Sequence, residues 1–165
     1  MLPRYAVLFK TYTWNAFNAR QLERICAQAP GGDVWVLVDN TSGRVPEIPH
    51  DRVFRVTEQE TVELGLMNAS TDRSLFWYNP DYLHYAFFNV HGDYDYYLTI
   101  EDDACAQTDL DRLAQDLASR QIDLLGSRVK QPAAWPWTGF HRLIYSADEL
   151  QLALLCFAGY SRRAM

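Results

Sequence analysis

The sequence predicts an α/β domain with a mostly parallel central sheet and helices on both faces, a three-layer α/β/α arrangement. Three observations carry this. Val34-Trp35-Val36-Leu37-Val38 and Tyr96 to Ile100 are short runs, apolar, β-branched or aromatic throughout, the pattern of strands buried on both faces. Between such runs lie segments of helical period, the first with Leu22, Ile25, Cys26 and Ala29 at i, i+3, i+4 and i+7. Third, Glu101-Asp102-Asp103 closes the Tyr96 run. A core cannot hold three adjacent unpaired carboxylates, so the triplet marks the point where that strand leaves the sheet.

Taken in order, Tyr5–Phe9 reads as a first buried strand, followed by the polar turn Lys10-Thr11-Tyr12-Thr13. Thr13 or Asn15 can cap the first helix, and Pro30-Gly31-Gly32 stops it. Val34–Val38 is the second strand and ends in the polar loop Asp39-Asn40-Thr41-Ser42-Gly43, completing a βαβ unit. Val53–Val56 is a shorter third strand. Thr57 to Ser74 is ambiguous, because Gly65 and Asn68 argue against one long helix. Asn79-Pro80-Asp81 starts a helix that runs to about His91 and is apolar almost all round, so it is expected to be largely buried. Thr108 with Asp111 resembles a capping box, and Leu110, Leu113 and Leu117 line the helix that follows. Ile122–Gly126 is the next strand. A long loop from Ser127 to about Phe140 carries Trp135 and Trp137, and Ser146 with Glu149 opens a helix through about Leu152. Ala153–Phe157 is a last strand, and Ser161 reads as the cap of a further helix.

At 165 residues the chain reads as a single domain, 1–165. A net charge of -6 argues against a nucleic-acid partner. Three cysteines in no metal-like spacing suggest reduced thiols in a cytoplasmic setting, with peripheral attachment to a membrane left open. Met1–Lys10 lacks the apolar region of a signal peptide, and the longest apolar run, Leu152–Gly159, is too short for a transmembrane segment.

Ligands of open α/β sheets bind at the carboxyl ends of the strands, where the triplet lies. Mutually repelling carboxylates are best reconciled there by a hard divalent cation, Mn²⁺ or Mg²⁺; a solvated acidic turn is the plain alternative. Three kinds of α/β site can be set aside. A haloacid-dehalogenase phosphatase needs D-x-D-x-[TV], where this chain has Glu101 first and Cys105 last. A receiver domain needs acids after the first strand, where Lys10-Thr11 stands. A P-loop or nucleotidyltransferase site needs a glycine-rich first loop, and Lys10 to Ala19 has no glycine.

The remaining pattern resembles the nucleotide-sugar-binding half of a GT-A glycosyltransferase, a Rossmann-like domain. The resemblance rests on Glu101-Asp102-Asp103 at the position of that family's D-x-D motif. It extends to Asp39 after the second strand, Asn79-Pro80-Asp81-Tyr82 before a helix, and Ser161-Arg162 after a late strand. The pattern from Tyr94 to Asp103 is similar to that of bacterial glycosyltransferase-like proteins with YDYxxxIExD at this point. The resemblance implies a nucleotide-sugar donor, a metal held by Asp103 and Glu101, and transfer to a glycan or lipid-linked acceptor. Thr11, Arg20, Asp39, Glu101 and Asp102 then fall on the donor side, with Asp39 reading a base or else capping its own turn. Arg20 meets the diphosphate or is a solvated helix arginine, and Trp135 and Trp137 stack on a sugar or plug their own loop. Asp103 and Glu149 are the candidate catalytic acids. After Asp123 the only acids are Asp148 and Glu149, so the acceptor side looks incomplete, which suggests a truncated site or a homo-oligomer that completes it. A non-catalytic module of the same fold is the rival reading. His84 and His91 lie roughly 10 Å apart along one helix, too far to share an ion.

Overall fold

The computed structural model describes residues 1–66, 75, 79–128 and 153–165. The first strand, β1 (Tyr5–Thr11), continues two residues beyond the apolar run because Lys10 still pairs with both neighbouring strands and Thr11 with β2. Helix α1 (Ala16–Gln28) begins at Asn15, whose side chain accepts from the amides of Phe17 and Asn18, while the Asn18 side chain accepts from the Asn15 amide. Strand β2 (Asp33–Asp39), strand β3 (Val53–Val56) and a short helix α2 (Glu58–Glu63) follow. The ambiguous segment thus opens with a helix set by a Thr57/Glu60 capping box and ended near Gly65, at φ 71°. Then come α3 (Pro80–His91), β4 (Tyr96–Glu101), α4 (Leu110–Ser119), β5 (Leu124–Arg128) and β6 (Ala153–Ser161).

The strands form one mixed, six-stranded sheet in the order β3-β2-β1-β4-β6-β5. The pairs β2/β3, β1/β2 and β1/β4 are parallel, and β6 is antiparallel to both β4 and β5. Strand β1 is buried along its whole length, and its alternate residues serve two cores. Tyr5, Val7 and Phe9 pack with Leu22 and Ile25 of α1 and with Leu110, Ala114 and Leu117 of α4. Ala6 and Leu8 pack with Leu83, Ala86 and Phe87 of α3. Among the described residues, no helix is long and apolar enough to cross a membrane.

Four sequence expectations are corrected. Helix α3 is not buried all round: Leu83, His84, Ala86 and Phe87 face the interior, whereas Tyr85 and Val90 are exposed, since only one stripe of a helix on a sheet can face it. The cap of α4 is Asp109, which accepts from the Arg112 amide at 2.9 Å. Asp111 instead accepts from the Tyr5 hydroxyl and the Gly31 amide, tying α4 to the amino end of β1. Ser161 caps no helix; it ends β6, its hydroxyl donating to the Asp123 carboxylate beside Arg163. The last strand therefore runs longer than Ala153–Phe157, and it lies between β4 and β5. Trp135, Trp137, Asp148, Glu149 and the expected helix near Ser146 lie outside the described residues.

Phe87 is fully buried and meets Trp35 and Phe54 edge-on, each at 5.3 Å between ring centroids. Phe87→Ala is expected to destabilise the domain by about 3–5 kcal/mol, read from urea denaturation. A loss below about 1 kcal/mol would mean that α3 is not held by this contact.

Candidate functional site

The parallel strands deliver their last residues to one edge. Lys10 of β1 lies opposite Glu101 of β4, Thr11 opposite Val38 of β2, and Asp39 ends β2 one residue further on. This edge gathers Thr11, Asp39 and the acidic triplet, as the sequence suggests. The triplet does not act as one cluster, because successive side chains at a strand end point to opposite faces.

Glu101 turns to the α3 face and pairs with the Lys10 ammonium at 3.3 Å. Lys10 is 2% exposed and Glu101 20%, so the lysine enters the interior while the carboxylate keeps contact with water. Burial pushes the Lys10 ammonium below its ordinary value, and the Glu101 charge opposes that shift. Asp102 turns to the α1 face, where it is buried and accepts from the Thr11 hydroxyl at 2.6 Å and the Asn18 amide at 3.4 Å. Burial raises its carboxyl, the Thr11 bond opposes this, and the charges of Asp103 and Glu101 add to it. Asp103 is exposed. The mutual repulsion is thus relieved separately for each acid: by an ammonium, by neutral donors, and by water.

Asp39 is buried. One oxygen accepts from the amide and hydroxyl of Thr41, at 3.1 and 2.6 Å, and the other from the Leu75 amide at 2.8 Å. It caps its own turn and anchors Leu75, the second of the two roles open to it in the sequence. Arg20 is exposed on α1 and, with Phe17, Gln21 and Arg24, lines a shallow groove.

Several residues at this edge escape the sequence reading. The Cys156 thiol of β6 lies beside Glu101 and is raised first by burial and then by that carboxylate. His84 of α3 is held to about 3, first by burial and then by the Lys10 charge, so its imidazole is neutral. Among the described residues, His84 Nε2, Thr99 Oγ1 and Gln28 Oε1 are buried without a hydrogen-bond partner. Lys10 had a visible signal, one charge continuing a wholly apolar run, and His84 read as an interior or interfacial histidine of its helix; Cys156 had none, since another element brings it here.

Among the described residues, no three His, Cys, Asp or Glu side chains converge as a group able to hold a metal. Mg²⁺-like ions are commonly held by one or two carboxylates together with substrate phosphates and water. Exposed Asp103 and partly exposed Glu101 fit that kind of site; Asp102, already satisfied by Thr11 and Asn18, does not. The donor set fits a cation shared with a phosphate-bearing ligand, and does not fit a cage built by protein alone. No protein-family model, no curated protein and no solved structure matches the chain.

Two outcomes are expected from this arrangement. Lys10→Met strands Glu101 without its partner and should cost about 1–3 kcal/mol, whereas the double variant Lys10→Met/Glu101→Gln should recover most of that loss in a denaturation cycle. Additive losses would mean that the pair is uncoupled. For Asp102, a carboxyl raised by folding contributes stability that is present below the ordinary carboxylate range and lost as pH rises through the raised folded value. Asp102→Asn should therefore gain stability relative to wild type between about pH 3 and pH 6. A difference in urea midpoint that does not change over that range would contradict the assignment.

Proposed function

We propose that the chain is a GT-A-like, Rossmann-like three-layer domain that binds a nucleoside diphosphate sugar with Mn²⁺ or Mg²⁺ and transfers the sugar to a glycan or lipid-linked acceptor. The observation that carries this reading is the exposed Asp103 beside Glu101 at the carboxyl end of an interior strand, flanked by the ends of β1 and β2. Asp103 and the water-facing side of Glu101 would hold the cation. When bound, a divalent cation supplies a counter-charge to the diphosphate as it leaves. Lys10 holds Glu101 in place through its ion pair, and Asp102 fixes the end of β4 to β1 and α1. Glu149 as base, and Trp135 and Trp137 as a sugar platform, belong to this proposal on the strength of the sequence. Asp39, occupied by Thr41 and Leu75, supports the loop on which a base could rest.

A second reading, a non-catalytic module of the same fold, is favoured by one specific observation. Two of the three acids are already committed to partners within the protein.

A panel of UDP, GDP, CDP and dTDP, titrated calorimetrically with Mn²⁺ and again in EDTA, tests the proposal. One nucleotide should bind at least roughly tenfold more tightly with the metal, a difference of about 1.4 kcal/mol, and Asp103→Ala should erase that factor without unfolding the domain. Equal binding in EDTA would remove the metal role, and no binding by any nucleotide would overturn the proposal.

A further inference from the structure

The split of the acidic triplet gives this edge two unlike sides. On the α1 side Asp102, Thr11 and Asn18 satisfy one another. On the α3 side polar groups remain unspent. Leu8 pairs with Thr99 in the sheet, so Thr99 shares the face that carries Leu8, Lys10 and Glu101 and lies under α3. Its hydroxyl, on a residue 1% exposed, has no partner, and neither has Nε2 of His84, a residue 9% exposed. Such buried polar atoms ordinarily find a partner, whether protein, ordered water or ligand.

A cavity of about 340 Å³ opens between α3 and β6, within the size range of small-molecule pockets, about 300–1,000 Å³. His84 and Asp81 are its polar lining from α3, while Phe88, Tyr85 and Tyr160 give it aromatic walls. It lies near the acidic edge. Leu155 lines it, the neighbouring Cys156 lies beside Glu101, and the Glu101 and Asp81 charges both reach the Tyr160 phenol.

We propose that this cavity is a subsite for a hydroxyl-rich ring, the sugar of the donor, with aromatic walls against its apolar face and His84 and Tyr160 as partners for its hydroxyls. The chemistry selects that class of ligand. A neutral imidazole and a phenol can each accept or donate a hydrogen bond, as sugar hydroxyls do, and neither of them demands a charge. Aromatic surface beside such groups suits a ring that is apolar on one face and hydroxylated at its rim. The inference rests on the proposed donor binding for the identity of the ring, but the subsite can be tested without it.

Two measurements on the full chain do so. In calorimetry with Mn²⁺, UDP, GDP, CDP and dTDP are compared with their hexose esters. In saturation-transfer NMR, methyl glucoside, methyl galactoside and methyl mannoside are offered alone. The hexose ester should bind roughly tenfold more tightly than its bare nucleotide. His84→Leu and Tyr160→Phe should each erase that factor and leave the bare nucleotide unchanged. At least one glycoside should give a transfer signal that both variants lose. If no nucleotide binds but the glycoside signal appears and is lost in the variants, the donor reading fails and the subsite stands. If nucleotides bind, the hexose adds nothing and no glycoside signals, the subsite is overturned and the donor reading survives. Silence in both measurements overturns both, with His84 satisfied by a structural water only. Where one variant fails to fold, the other decides.

Discussion

Strand β1 has no exposed face, and the rest of the edge depends on that constraint. It is paired on both sides and covered above and below, so whatever residue it carries at its carboxyl end is taken into the protein. Lys10, one residue before that end, is taken in with it. A buried ammonium is tolerable only beside a compensating charge, and the parallel register supplies one by setting Glu101 opposite it on β4. A slip of one residue would turn the lysine toward Phe9's core and leave Glu101 facing an apolar neighbour. The pair therefore locks the register of the two strands as well as neutralising itself.

The same register decides what becomes of the acidic triplet. Because direction alternates along a strand, Asp102 points away from Glu101 and finds Thr11 and Asn18, residues that also shape the start of α1. Asn18 thus serves at once as a member of the helix cap and as a donor to the buried acid. The outcome is an edge with one closed side and one open side, with Asp103 exposed and Glu101 partly so. Any ligand that engages the triplet meets Asp103 and the α3 side first. The unspent groups His84 and Thr99 lie on that side as well.

Much of the fold was legible in local patterns. Strands buried on both faces announce themselves as unbroken apolar runs, which is why β1 to β4 fall where Tyr5–Phe9, Val34–Val38, Val53–Val56 and Tyr96–Ile100 stand. The caps were harder to read. Asn15 was one of two candidates, and Asp109 displaced Thr108 because Asp111, the acid that would complete the box, is drawn to Tyr5 and Gly31 across the fold. Long-range hydrogen bonds of this kind leave no trace in neighbouring residues.

The sequence by itself determined the alternation of strands and helices, the exit of the acids at the end of β4, and the gathering of Asp39 and Thr11 at the same edge. Those follow from the cost of burying charge and from the period of each element, both of which are local. The tertiary structure alone decided the antiparallel insertion of β6 between β4 and β5, which brings Cys156 to Glu101 and Tyr160 to His84. It also decided that Asp39 turns inward to Thr41 and Leu75, and that the three acids part company. The reason is physical: which face a strand-end side chain takes, and which donor it meets there, is set by the register and packing of elements far away in the chain.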